Sequence, residues 1–391
     1  MLNGPFSPWP SFSQPEADAV SRVLLSNKVN YWTGIECREF EKEFSAWSQV
    51  SHSIALSNGT VALDLALKVL SIGAGDEVIV TPRTFLASVS SIVTAGATPI
   101  FADVDRESQN ITPETVAKVI TPRTKAIIAV HLAGWPCDMD GLMALAEEHD
   151  LAVIEDCAQA HGALWRGKPV GSIGHASAWS FCQDKIMTTG GEGGMLTTND
   201  QTLWSSAWSY KDHGKSFDTV YNREHPAGFR WLHESFGTNW RMLEMQGVIG
   251  RIQLQLMPAW HEARKANAHR ILAACAESPA LRVPQVPAEI EHAWYRAYAF
   301  VRPEQLKAGW SRDRIIGEIV ARGVPCFSGS CSEVYLEKAF DGTNWRPAER
   351  LPVARELGET SLMFLTHPTL TQQEIDKTCQ VVRQVMSEAQ G

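Results

Sequence analysis

A lysine stands where an apolar run gives way to a glycine-rich turn. Ser180-Phe181-Cys182-Gln183-Asp184-Lys185 is followed by Thr188-Thr189-Gly190-Gly191-Glu192-Gly193-Gly194. In that setting Lys185 is a candidate amine nucleophile, and the glycines let backbone and a flat ligand come close. A lone lysine more often sits on the surface beside a flexible loop, so the segment needs company. Three other pieces supply it. In Glu155-Asp156-Cys157-Ala158-Gln159-Ala160-His161-Gly162, Asp156 ends an apolar run; its carboxylate needs a cationic or hydrogen-bonding partner, or caps the next loop. In Ser57-Asn58-Gly59-Thr60, Gly59 admits a ligand, Thr60 is the expected helix cap, and the free N–H groups of the helix start favour a phosphate. An ordinary strand-to-helix turn reads the same way. Gly237-Thr238-Asn239-Trp240-Arg241-Met242 opens a long helical stretch, where Asn239 and Arg241 either reach an anion or merely cap the helix.

These pieces need a scaffold that brings them together. Short apolar runs recur at 53–57, 77–81, 98–103, 125–131, 152–156, 176–181 and 194–198, and read as seven strands covered on both faces. Helical stretches at 61–70, 85–95, 113–120 and 141–149 separate them. The alternation predicts an α/β fold with a mostly parallel seven-stranded sheet. In such sheets ligands collect beyond the carboxyl ends of the strands. The phosphate cradle, the carboxylate and the lysine all fall at that edge, and this is the set that pyridoxal 5'-phosphate requires. The second half changes character, with a helix from Asn239 to about Cys275 interrupted or kinked at Pro258, a strand at 295–301, and helices at 311–322 and 372–388. We place a large cofactor-binding domain at 1–256 and a smaller C-terminal α+β domain at 257–391.

Composition narrows the field. The 391 residues are 44% hydrophobic and 20% charged, as in an ordinary globular protein, and the net charge of −9 argues against sequence-independent nucleic-acid binding. The eight cysteines lack any paired spacing and read as reduced thiols. Cys182 is expected to be a small packing residue. The start lacks a signal-peptide pattern, and no apolar run reaches the roughly 18–20 residues of a membrane span, so a cytoplasmic location without membrane contact is expected. The twelve histidines show no metal-ligand spacing, so no metal is expected. Of the fourteen tryptophans, the group at 204, 208, 231 and 240 suggests packing or a dimer contact.

The motifs SNGTVALDLAL, VIVTPRTFLAS, ATPIFADVD, TKAIIAVHLAGWPCDMD, IEDCAQAHGA, SFCQDKIMTTGGEGG, KDHGK and GTNWRMLEMQGVIGRIQL run in order from about Tyr31 to Arg264. In this the chain resembles the DegT/DnrJ/EryC1/StrS sugar aminotransferases, whose fold is that of aspartate aminotransferase (type I). The resemblance implies that Lys185 carries the cofactor and shuttles protons. It implies that Asp156 pairs with the pyridine nitrogen, Gln159 bonds the ring's phenolic oxygen and Phe85 stacks on the ring. Gly59, Thr60 and Ser180 would hold the phosphate, and Asn239 would reach the phosphate of a neighbouring subunit, making the active site that of a homodimer. His161 and Glu192 lie in matched motifs without an assigned role.

Some relatives replace the lysine with histidine and act as dehydratases. Lys185 is present here, so the resemblance implies transamination from glutamate to a keto- or aldehydo-sugar. The stretch 322–335 departs from the family pattern, with small residues in place of bulky ones. It is similar to the branch that aminates C8 of a free octulosonate for lipopolysaccharide; the alternatives are a nucleotide-linked 3-keto or 4-keto sugar, a dehydratase, and a non-catalytic regulator. Arg230, Arg241 and Arg264 are candidates to pair with a substrate carboxylate, though each singly reads as an ordinary arginine.

Overall fold

A computed structural model describes residues 5–225, 228 and 230–391. Its central sheet has seven strands, His52–Leu56, Glu77–Val80, Thr98–Phe101, Thr124–Val130, Ala152–Asp156, Ala176–Ser180 and Gly194–Thr198. Counted first to seventh along the chain, they lie in the order 1-7-6-5-4-2-3, and only Gly194–Thr198 runs against its neighbours. Both faces are covered, which is why the strands read as unbroken apolar runs. Ile128 and Ile154 face one buried cluster, while their neighbours Ile127 and Val153 face another.

Two helices, Gln14–Leu25 and Glu36–Ser48, precede the first strand. The second buries Cys37, Phe40, Phe44 and Ser48, a spacing of three to four that places them on one face. Its first N–H groups, on Glu36 and Cys37, donate to the buried Glu244 carboxylate at 2.5 and 3.4 Å. Glu244 begins the longest helix, Glu244–Ala276, which runs through Pro258 without interruption. The expected start at Asn239 is therefore five residues early, and the expected break is absent. Leu254 and Met257 belong to the core around the large sheet, whereas Ala268, Ile271 and Leu272 belong to a second core. That second core lies beneath a three-stranded antiparallel sheet in which Arg296–Val301 is central, between Leu281–Arg282 and Ser361–Leu365. Helices Arg312–Ala321 and Gln372–Ala389 pack with it.

An N-terminal segment ties the two cores together. Ser7 donates from its backbone N–H to Glu374 at 2.5 Å, and the Trp9 indole N–H donates to the Lys185 carbonyl at 2.8 Å. No helix among the described residues is long and apolar enough to cross a membrane.

Candidate active site

Loops at the carboxyl ends of five strands open into one cleft of about 1070 Å³. Gly59, Thr60, Phe85, Asp156, Gln159, Ser180 and Lys185 all line it, so the structure brings together every residue expected there from the same chain. Asn239 is exposed, and its backbone bridges to Asp212 ahead of the long helix rather than opening it.

The phosphate cradle forms where the first strand meets helix Gly59–Val69. The cap is Asn58, not Thr60: its side chain accepts from the Val61 N–H at 3.0 Å. Thr60 is exposed inside the first turn, where it and Gly59 present N–H groups that no helical carbonyl can take. A methyl group on Gly59 would stand 2.6 Å from the Ser180 Cβ, and one on Gly194 would run into the Asn58 carbonyl. Glycine at these two points lets strand and helix start pack against each other.

Asp156 ends its strand almost wholly buried. Its Oδ2 accepts from Ser88 at 2.8 Å and its Oδ1 from the Ala158 N–H at 3.1 Å. Thr84 lies 2.8 Å from the Ser88 hydroxyl and completes a short polar chain. Next to it in sequence, Glu155 points to the opposite face, where His131 and the Gly171, Ile173 and Gly174 N–H groups surround it. Burial pushes the Glu155 carboxyl up, but the bond to His131 and these donors outweigh it and leave it below the usual range. Gln159 accepts from the Ala133 N–H at 2.8 Å through its oxygen, which leaves its amide hydrogens to donate. Phe85 is 71% exposed, a ring face held open to the cleft just before helix Ala87–Thr94.

Lys185 is held by a turn closed by its own N–H on the Cys182 carbonyl, 3.1 Å. The glycine turn beyond it is tied to the long helix through Gln253, which accepts from the Thr188 N–H, and Gln246, which donates to the Glu192 carbonyl. The Lys185 ammonium lies 3.7 Å from Asp184 and 5.4 Å from the Tyr295 ring centre. Its side chain is only 16% exposed, unlike a surface lysine beside a flexible loop. Cys182, expected to be a packing residue, is half-buried in the cleft wall, and burial pushes its thiol up.

Two sets of cleft residues were missed from sequence. Ser88 follows Thr84 at helical spacing, a signal present but unread. Tyr295 and Arg296 reach Asp184 across more than a hundred residues, and no local pattern announces that. Of the three arginines offered for a substrate carboxylate, none lines the cleft. Arg230 is exposed elsewhere, and Arg241 is committed to Asp212 at 2.5 Å. Arg264 is sealed behind Trp9, where burial first and then Arg296 pull its pKa down to about 9. The cleft guanidinium is that of Arg296.

A family model for the DegT/DnrJ/EryC1/StrS aminotransferases matches residues 10–383. The chain belongs to this family. It is 34% identical to the spore coat polysaccharide biosynthesis protein SpsC of Bacillus subtilis, across 97% of this chain and 96% of that protein. It is 34% identical to dTDP-3-amino-3,4,6-trideoxy-alpha-D-glucose transaminase of Streptomyces venezuelae, across 94% and 90%. Among solved structures, an aminotransferase from Psychrobacter cryohalolentis superposes with a TM-score of 0.97 at 64% identity, across 98% of this chain and 99% of that one. The protein is thus a sugar aminotransferase of the type I fold, and its cofactor is pyridoxal 5'-phosphate. The cleft fits that group by the chemistry of its donors: an amine, a carboxylate held by hydrogen bonds, and a helix start.

The close packing at Gly59 gives a direct test. Gly59→Val in this aminotransferase should cost about 1–3 kcal/mol of stability by overpacking against Ser180. It should also weaken the cofactor's hold. Thermal melts with and without added pyridoxal phosphate will show a lower midpoint and a smaller shift on cofactor addition than the native protein.

Proposed function

We propose that the protein moves an amino group from glutamate to the carbonyl of a nucleotide-linked keto-sugar, as a homodimer whose active sites are shared. The observation that carries this reading is Lys185 and Asp156 facing one cleft whose floor is the helix start at Gly59–Thr60. When bound, the cofactor serves as the electron sink for the amine transfer. Lys185 holds it and moves protons at its Nζ. Asp156, aimed by Ser88, keeps a proton on the ring nitrogen. Gln159 donates to the ring oxygen, and the Phe85 ring covers its face. The Gly59 and Thr60 N–H groups with Ser180 take the phosphate. Asn239, exposed outside its own cleft, is free on this reading to serve the partner's.

The relatives from Streptomyces venezuelae and Escherichia coli O157:H7, named for dTDP- and GDP-linked sugars, support a nucleotide-linked acceptor. A free sugar acid aminated at C8 for lipopolysaccharide is the second reading, favoured by Arg296 in the cleft and by the small residues Gly329 and Ser330 in its wall. The visible absorbance of the purified protein tests both. Glutamate should bleach the cofactor band, and the accepted sugar should restore it. Restoration by an oxidised octulosonate alone, with nucleotide-linked keto-sugars inert, would turn the assignment to the second reading. A band indifferent to glutamate would remove glutamate as donor.

A further inference from the structure

Asp184 precedes the cofactor-bearing lysine and meets two residues from the other core. Its Oδ1 lies 3.7 Å from the Lys185 Nζ, and its Oδ2 accepts from the Tyr295 hydroxyl. The same Oδ2 stands 3.5 Å from Arg296 Nη2, long for a charge-assisted bond. Arg296 is fixed by a bond from Nη1 to the Tyr295 carbonyl at 3.0 Å, and its guanidinium stacks 4.1 Å from the Tyr295 ring centre. Tyr295 therefore turns the carboxylate so that one oxygen faces the lysine, while Arg296 draws on the other.

We propose that Asp184 is a positioning residue that holds Lys185 in place and in its charged form, with Arg296 pulling the opposite way. The proposal rests on Lys185 being the lysine that carries the cofactor. An opposite charge within about 4–6 Å favours the ionised form of a group, and a like charge disfavours it. The ionised groups acting on Lys185 divide accordingly: Asp184 favours its charge, and Arg296 opposes it. His161 lies close by but stays neutral, its pKa lowered to about 3 by burial. Burial alone would lower the Lys185 pKa; Tyr295 and Asp184 outweigh it, and the net direction is upward. Asp184 is about one-third exposed, so solvent takes part of its effect. Because Tyr295 and Arg296 stand at the start of the small sheet's central strand, the reactivity of the lysine depends on how that sheet sits over the cleft.

The test needs no turnover. Cofactor-free protein is labelled with acetic anhydride across a pH series, and modification of Lys185 is read by mass spectrometry. Asp184→Asn should label Lys185 about tenfold faster at a fixed pH below the plateau, and Arg296→Met more slowly by a similar factor. Opposite signs in the two variants are not what loosened packing produces. Profiles for both that overlie the native one would overturn the proposal. Should Asp184→Asn fail to fold, Arg296→Met decides alone, slower labelling supporting the proposal and unchanged labelling overturning it. A native protein that takes up pyridoxal phosphate without a visible band would defeat the reading of Lys185 instead, a separate outcome.

Discussion

Lys185→Ala lowers transfer from glutamate by about 10⁴-fold, the upper range for losing a positioned proton carrier. Lys185 is the one lysine lining the cleft among the described residues, so no neighbouring amine replaces it. Among the described residues its ammonium makes a single ion pair, at 3.7 Å to Asp184, so little folding energy depends on it. Circular dichroism and the melting midpoint should stay near native values while turnover disappears. The variant also tests the shared site. Mixed with Asn239→Ala protomers, it should recover activity that neither variant has alone, because one site of each hybrid dimer keeps both residues. Turnover retained in Lys185→Ala would remove the lysine from the chemistry, and hybrids as inactive as their parents would keep Asn239 out of the partner's site.

Acid removes stability well before the carboxylates titrate. His161, His292 and His367 are buried, and burial, their largest influence, lowers each pKa to about 3. In the unfolded chain each titrates near 6.5. The unfolded state therefore binds the extra protons, and stability present above pH 6.5 is lost as the pH falls towards 3. At pH 5 the loss is about 2 kcal/mol per histidine, about 6 kcal/mol in all, comparable with the whole stability of many domains. The bonds show why the folded state resists. The His292 Nδ1 accepts from the Trp294 N–H at 2.7 Å, which a protonated nitrogen cannot do. His161 lies against the rings of Trp179 and Phe181, and His367 has Arg264 and Arg296 as cationic neighbours. Urea midpoints between pH 7.5 and 5 measure the slope, and a His161→Leu variant should flatten it by about a third. A midpoint constant over that interval would show that these histidines take up protons without unfolding.

The sheet was legible because most of its strands are buried on both faces, so Ile127-Ile128 and Val153-Ile154 announce themselves without any alternation to decipher. Strands Ala152–Asp156 and Gly194–Thr198 fall at the residues read from sequence. The site was legible where one motif holds both the functional group and the turn that presents it, as at Asp156 and Lys185. It was misread where capping residues compete: Asn58 and Thr60 both suit a helix start, and only the bond to Val61 decides between them. The long helix was begun too early because Asn239 is a good cap in the abstract, whereas Glu244 starts it and spends its carboxylate on another helix's N–H groups. The arginines stayed open because sequence does not show which one has a carboxylate already, as Arg241 has Asp212.

The strap formed by the first described residues bears on how the protein can be handled. Trp9 grips the Lys185 carbonyl from behind, its ring packs on Trp260 and His367, and Ser7 fastens the same stretch to Glu374. A chain trimmed past Trp9 loses the back wall of its reactive lysine. N-terminal trimming should therefore stop short of Ser7.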